Sequence, residues 1–241
     1  MLCPGFAGAW AQYPSDQPAG TSRPGFYIEK VIPAALAFVR ECSGTAEVAV
    51  VAHSWGGVIA LAAIAVKRLE GISCIVFFGS KRHISVTSLK KVIMVDLLWR
   101  WMGKGLAAIY RYYPAKLLRI GSDNETAAGF AQTDQWVREK EWRYFRANLD
   151  IRAILHTMSL PPILSLTGSK DEVLGHPQDV QALLTETGQS QINRFILAGR
   201  KNGFAIDYDH VNILTHKQAV VELFPLVYDW IVTSGKGGRS S

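Results

Sequence analysis

Ser54 lies in a segment that can make its hydroxyl a nucleophile. The segment reads Ala52-His53-Ser54-Trp55-Gly56-Gly57 and separates an apolar stretch that predicts a strand from one that predicts a helix. A serine at such a sharp strand-to-helix turn has its oxygen lifted clear of the sheet. Ala52 and Gly56 are small, which lets the strand and the helix approach each other. The N–H of Trp55, at the start of the helix, is the predicted donor to a developing oxyanion.

A serine hydroxyl is a weak nucleophile unless a histidine takes its proton and a carboxylate orients the histidine. The chain offers both partners in the order serine, acid, histidine. Asp171 follows the apolar run Ile163–Leu166 across a Thr-Gly-Ser-Lys turn, and His210 follows the apolar run Phe195–Leu197. The predicted catalytic residues are therefore Ser54, Asp171 and His210.

Other side chains compete for these roles. Glu172 is the rival acid because neighbouring loop residues can both face inward. His216 fits a capping or surface role better, His176 is only five residues beyond the acid, and His53 is expected to pack or hydrogen-bond locally. The three cysteines, at 3, 42 and 74, are widely spaced and without a pattern of metal ligands, so free thiols are expected and no cofactor or metal is predicted.

The elements around these residues predict an α/β fold, with a mostly parallel sheet and helices on both faces. Strands are expected at Glu47–Val51, Cys74–Phe78 and the two apolar runs above. Helices are expected at Ile32–Glu41, with Pro33 in its first turn, and at the ranges Gly57–Leu69, Pro177–Glu186 and Lys217–Val232. The apolar stretch Val48–Val66 is interpreted as strand, turn and helix rather than a membrane span, because polar residues and two glycines interrupt it.

Residues 81–150 differ from the rest of the 241-residue chain. They hold 13 Lys/Arg against 7 Asp/Glu, while the remainder holds 13 of each, so the whole formal charge of +6 lies there. They also hold four of the seven tryptophans, at 99, 101, 136 and 142, and the tyrosines at 110, 112 and 113. We expect a helical cap insertion, in which the aromatic residues either pack against the core or line an acyl pocket. The core is then 1–80 and 151–233, and 234–241 is expected to be a disordered tail.

With these residues placed, the chain resembles the α/β-hydrolase superfamily from Tyr27 to Trp230. Similarity to its lipase-like and polyester-depolymerase-like branches lies in Ile32-Pro33-Ala34-Ala35, Val51-Ala52-His53-Ser54, Thr167-Gly168-Ser169-Lys170-Asp171, Pro177-Gln178-Asp179-Val180, and Asp209-His210 followed by Phe224-Pro225. The resemblance implies a serine hydrolase acting on carboxylic esters, including lipid-like ones. The family's usual glycine is Ala52 here, and only size matters at that position.

The beginning of the chain departs from that family, which normally has several strands before this region and takes a second oxyanion N–H from one of their loops. Two interpretations stay open. Either Pro4-Gly5-Phe6 is that loop and Phe6 is the second donor, or Met1–Cys3 ends the next strand and the loop is absent. The second is favoured because about fifty residues are few for the missing strand, and the fold is then N-terminally shortened.

The sequence thus predicts a carboxylic ester hydrolase that works through an acyl-enzyme on a small-molecule or lipid-like ester. The alternative is a non-catalytic or weakly active binding protein on the same scaffold. The basic, aromatic insertion suggests a protein that binds nucleic acid or an anionic membrane. No nucleic-acid motif accompanies it, and nucleic acid is not an expected partner. Residues 1–13 lack the features of a signal peptide, so a cytoplasmic protein without a transmembrane segment is expected. The sequence indicates no oligomeric state.

Overall fold

A computed structural model of the chain describes residues 23–85, 112–113, 125–188 and 193–237. The strands of this part are β1 Val48–His53, β2 Ile72–Phe78, β3 Tyr112–Tyr113, β4 Glu125–Thr126, β5 Arg143–Tyr144, β6 Leu149–Asp150, β7 Ile163–Gly168 and β8 Arg194–Ala198. The helices are α1 Arg23–Phe26, α2 Ile32–Ser43, α3 Trp55–Lys67, α4 Ala127–Arg138, α5 Ile151–Thr157, α6 Pro177–Glu186, α7 Asn212–Thr215 and α8 Lys217–Gly237.

Four strands form one parallel sheet in the order β1-β2-β7-β8. The other four make two short antiparallel pairs, β3 with β4 and β5 with β6. In the central strands β2 and β7 the residues from Cys74 to Phe78 and from Ile163 to Gly168 are all buried, as strands covered on both faces should be.

Helices cover both faces of this sheet. Because side chains alternate along a strand, neighbouring residues of β2 pack on opposite faces. Ile75 and Phe77 of β2 belong to a core cluster that includes α3 and α5. Val76 and Phe78 belong to a second cluster, which includes α7 and α8. The predicted parallel sheet with helices on both faces is confirmed, and the apolar stretch Val48–Val66 is strand, turn and helix as predicted.

The α-helix at Pro33 begins at Ile32 as predicted, with Pro33 in its first turn, and it ends at Ser43 rather than at Glu41. A π turn, Tyr27–Val31, joins α1 to α2, so the helical segment as a whole starts before Pro33. Proline has no N–H to donate and its ring crowds the carbonyl four residues back. A wider turn just before it accommodates both effects.

The predicted role of the tryptophans in residues 81–150 can be compared with the structure. Trp136 and Trp142 are fully buried in the core cluster that contains α3, so these two tryptophans pack rather than line a pocket. Trp99, Trp101 and Tyr110 lie outside the described residues, and the predicted cap stays a prediction.

Part of the positive charge of residues 81–150 lies in the protein interior, because Lys81 and Arg82 are buried. Arg82 donates to both carboxylate oxygens of Glu186, at 2.5 and 2.8 Å, and to the carbonyl oxygens of Trp136 and Glu139. Burial of an arginine is tolerated when its charge and its N–H groups all find partners.

The last helix is longer than predicted. It runs to Gly237, so residues 234–237 are helical, which corrects the expectation of a disordered tail from residue 234. No proline interrupts this stretch, and adding a residue to an existing helix costs far less than starting one. Residues 238–241 lie outside the described part. Among the described helices, none has the length and apolar character needed to cross a bilayer.

Candidate active site

Ser54 occupies a strained turn between β1 and α3. Its φ of 55° and ψ of −130° are unusual for a residue with a side chain. The turn is held on both sides, because the N–H of Ser54 donates to the carbonyl oxygen of Phe78 at 2.8 Å and the N–H of Gly57 donates to that of Ser54 at 3.2 Å. Local strain held by surrounding bonds keeps the hydroxyl at the sheet edge.

The glycine that lets α3 approach the sheet is Gly57, not Gly56. A Cβ on Gly56 would lie 4.0 Å from the Cβ of Ala52, an ordinary contact. A Cβ on Gly57 would lie 2.3 Å from Oγ of Ser80 and 2.8 Å from the ring of Phe77. The requirement for a small residue after Ser54 therefore falls one position later than predicted.

Asp171 lies in the loop between β7 and α6, which we call the acid loop, residues 169–176. Asp171 is buried, at 4% exposed, whereas the rival acid Glu172 is exposed. One carboxylate oxygen of Asp171 accepts the N–H of Gly175 at 2.7 Å, and the other lies 2.6 Å from Nδ1 of His210. Asp171, and not Glu172, is the acid that contacts the histidine.

His210 connects the acid to the serine. Its Nε2 lies 2.9 Å from Oγ of Ser54, and its Nδ1 faces Asp171. An ionised carboxylate only accepts hydrogen bonds, so Nδ1 carries the proton and Nε2 is left to accept from the Ser54 hydroxyl. The three side chains predicted to act together thus form one hydrogen-bonded chain, while their catalytic roles remain predictions. Of the other histidines considered, His216 accepts the N–H of Gln218 at 3.1 Å, and His176 precedes the first residue of α6.

His53 supports His210 from the side. Its Nε2 donates to the carbonyl oxygen of His210 at 2.9 Å, and the two ring centres are 4.7 Å apart. Burial lowers the pKa of His53, against the opposing effect of the hydrogen bond to the His210 carbonyl oxygen. A neutral ring that donates through Nε2 is the form that suits this contact, in line with the expected local role.

Two glycines that the sequence interpretation passed over form the floor beneath the acid and the histidine. Gly79 directly follows β2 and has a φ of 57°, and a Cβ there would lie 3.0 Å from Nδ1 of His210 and 3.4 Å from Oδ2 of Asp171. A Cβ on Gly175 would lie 2.3 Å from the same Oδ2. The only sequence signals were that Gly79 follows a predicted strand and that Gly175 lies four residues after the predicted acid.

The sequence also gave no sign that Lys81 lies beside the site, because it was counted with the basic insertion. It is buried, and its Nζ donates to the carbonyl oxygen of Val173 in the acid loop and lies 3.7 Å from Oδ2 of Asp179. Desolvation lowers its pKa to about 8, against the opposing effect of Asp179 and Asp171.

The structure describes one of the two predicted oxyanion donors, Trp55, and not the other, Phe6. Trp55 is the first residue of α3, where the N–H groups of a helix have no acceptor within it. Its position directly after Ser54 suits the predicted role. Phe6 and the segment Met1–Cys3 lie outside the described residues, so the second donor stays a prediction.

The described ranges contain no group of three His, Cys, Asp or Glu side chains that could hold a metal ion. What the site does contain is a hydroxyl, a base and a buried carboxylate in line. Such an arrangement can raise the nucleophilicity of the hydroxyl and return its proton to a leaving group.

Comparison with solved structures gives a likeness of fold. DcsB in complex with its substrate analogue has a TM-score of 0.56 and 14% identity, over 90% of this chain and 76% of that one. A thermophilic esterase from Thermogutta terrifontis has a TM-score of 0.47 and 13% identity, over 86% and 73% of the two chains. A monoacylglycerol lipase from Paleococcus ferrophilus has a TM-score of 0.47 and 14% identity, over 89% and 77%.

No curated protein sequence matches the chain significantly. The family model for the alpha/beta hydrolase fold matches residues 13–160, which is more than half of the 241 residues. That match covers the strand, elbow and helix around Ser54, and it agrees with a parallel sheet covered by helices on both faces. The chain therefore belongs to the α/β-hydrolase fold family.

Proposed function

We propose that this protein is a serine hydrolase that cleaves carboxylic ester bonds through an acyl-enzyme formed on Ser54. One observation carries the proposal: Ser54, His210 and Asp171 are linked by hydrogen-bond distances of 2.9 and 2.6 Å. These residues come from three separate loops at the carboxyl ends of parallel strands. A chance surface cluster has no reason to include a strained serine, a buried carboxylate and a histidine between them.

In the proposed mechanism Oγ of Ser54 attacks the ester carbon while Nε2 of His210 takes the hydroxyl proton. Asp171 stabilises the imidazolium through Nδ1. The carbonyl oxygen becomes an oxyanion, and the N–H of Trp55 donates to it. When the intermediate collapses, the bond to the alcohol oxygen breaks and His210 returns the proton to that oxygen.

A water molecule then releases the acyl group from Ser54. His210 removes a proton from a water molecule, the hydroxide attacks the acyl carbon, and Oγ of Ser54 leaves with the proton from His210. The products are one carboxylic acid and one alcohol. The proposed substrates are small-molecule or lipid-like esters, in keeping with the resemblance of the sequence motifs to lipase-like hydrolases.

Hydrolysis of short p-nitrophenyl esters tests the proposal, with Ser54→Ala as the variant. We expect turnover to fall by at least about 10⁴-fold, because the members of such a triad act as a unit. Ser43→Ala is the matched control, since Ser43 is an exposed serine at the end of α2 that bonds only to its own neighbourhood.

A fluorophosphonate probe separates the enzyme from the non-catalytic binding protein, because the probe reacts readily only with an activated serine. We expect labelling of the wild type and of Ser43→Ala, and none of Ser54→Ala. A folded wild type that neither reacts with the probe nor hydrolyses any ester rejects the proposal.

A further inference from the structure

Lys81 is a buried cation beside the proposed site. It follows β2 by three residues, is 7% exposed, and directs its Nζ to the carbonyl oxygen of Val173. Its Nζ also lies 3.7 Å from Oδ2 of Asp179. An ammonium group so well removed from water needs such partners to be tolerated.

The contacts of Lys81 join three elements. Val173 is in the acid loop, two residues after Asp171. Asp179 is in the first turn of α6, and its two carboxylate oxygens accept the N–H of Ser85 at 3.0 and 3.2 Å. Lys81 therefore ties the segment after β2 to the loop that carries Asp171 and to the helix that follows that loop.

Two buried carboxylates act electrostatically on this cation. Asp171 is 4% exposed and Asp179 is 2% exposed. Both act electrostatically on Lys81, Asp179 more strongly than Asp171, and they partly offset the effect of burial on its pKa. The ammonium in turn offsets the charge of Asp171, whose Oδ2 lies 2.6 Å from Nδ1 of His210.

We propose that Lys81 is a positioning residue for the proposed ester hydrolysis: it fixes the loop that carries Asp171 and offsets the charge of the two carboxylates buried beside it. This inference rests on the proposed function, since it concerns the acid that orients His210. It adds a fourth side chain to the site, 90 residues from Asp171 in sequence.

The charge of Lys81 has a consequence that a purely mechanical role lacks. Its removal leaves Asp171, which contacts His210, and Asp179 without a compensating cation, which favours the protonated ring of His210. The acid limb of kcat/KM against pH then moves to higher pH. Removal of the Asp179 charge has the opposite effect, because Lys81 then acts on His210 and Asp171 without its partner.

The test is the pH profile of kcat/KM for a short p-nitrophenyl ester with Lys81→Met, Asp179→Asn and the wild type. For Lys81→Met we expect the acid limb to move up by about half a pH unit or more, and the plateau to fall by about 3- to 10-fold as Asp171 loses its fixed position. For Asp179→Asn we expect the acid limb to move down. Circular dichroism establishes that each variant is folded.

Lys170→Met is the matched control, because Lys170 adjoins Asp171 in sequence but is exposed. Solvent screens its charge, and we expect its profile to stay within about 0.2 pH units of the wild type. Folded Lys81→Met and Asp179→Asn with the wild-type profile overturn the proposal, as do shifts of both in the same direction. If Lys81→Met does not fold, an Asp179→Asn profile that is unchanged or that moves up overturns the proposal.

Failure of this inference is distinguishable from failure of the proposed function. A wild type whose ester turnover depends on Ser54, but whose profile neither variant changes, overturns only the role of Lys81. A wild type without Ser54-dependent turnover overturns both.

Discussion

His53 holds the main chain of His210: its Nε2 donates to the His210 carbonyl oxygen at 2.9 Å, and the two rings lie 4.7 Å apart. His53 directly precedes Ser54 in sequence. The strand that carries the proposed nucleophile therefore also fixes the backbone of the proposed base. His53 thus links the backbones of the two residues that are proposed to exchange a proton.

We predict that His53→Phe lowers kcat of ester hydrolysis by about 10-fold with little change in KM. The ring volume is kept but the donor to His210 is lost, so the base is less well aligned with Ser54. Steady-state kinetics on the ester substrate measures both constants. His53→Gln, which restores an N–H donor, is expected to recover part of kcat. Equal activity of His53→Phe and the wild type contradicts this role.

Gly79→Ala is predicted to impair activity more than stability. The added Cβ meets Nδ1 of His210 at 3.0 Å and Oδ2 of Asp171 at 3.4 Å, so it pushes the two proposed catalytic groups out of line. Gly44→Ala is the matched control, because Gly44 has a similar φ of 65° and open space around it. Both substitutions cost about 1 kcal/mol of backbone strain.

The measurement is kcat/KM together with the free energy of unfolding in urea for both variants. We expect similar losses of stability, and a loss of at least about 10-fold in kcat/KM for Gly79→Ala alone. Comparable values of kcat/KM for the two variants would show that the contact between residue 79 and His210 does not affect activity.

At the elbow, the adjacent glycines are predicted to respond in opposite ways. Gly57→Ala places a methyl group within 2.8 Å of the ring of Phe77 and closer still to Ser80, and we expect a loss of about 1–3 kcal/mol in unfolding free energy. Gly56→Ala makes only an ordinary contact and gains helix propensity, up to about 1 kcal/mol. Thermal and urea unfolding compare the two, and a more stable Gly57→Ala contradicts the close packing of α3.

The convergence of Ser54, Asp171 and His210 was predictable from sequence because each residue follows an apolar strand. Parallel strands present their carboxyl ends at one edge, so order along the chain is enough to bring such residues together. The bounds of α6, Pro177–Glu186, were predicted as observed, and its start was readable because proline suits a first helical turn.

The supporting residues were not predictable, because their roles depend on contacts across the chain. Lys81 meets Val173, 92 positions away, and Gly79 lies under a histidine of another loop. Trp136 and Trp142 looked like possible pocket residues because composition alone cannot tell an aromatic residue in the core from one at a binding surface. Gly56 and Gly57 are equally small, and only the distance to Ser80 distinguishes them.

The last prediction concerns the pH dependence of stability. The pKa of Lys81 is about 8 in the folded protein and below its ordinary value of 10.5. Between these values the unfolded chain binds more protons than the folded one, so the folded state gains stability as pH rises. The gain is complete once pH passes the unfolded value.

The measurement is the unfolding free energy of the wild type minus that of Lys81→Met, from urea titrations at pH 7, 8, 9 and 10. We expect this difference to rise by up to about 1.4 kcal/mol per pH unit above pH 8, because methionine carries no titrating charge. The same difference taken against Lys170→Met is expected to stay flat, since Lys170 is exposed in the folded protein. A flat difference for Lys81→Met would mean that the Lys81 ammonium is as well solvated as a surface lysine, which is incompatible with a buried cation between Val173 and Asp179.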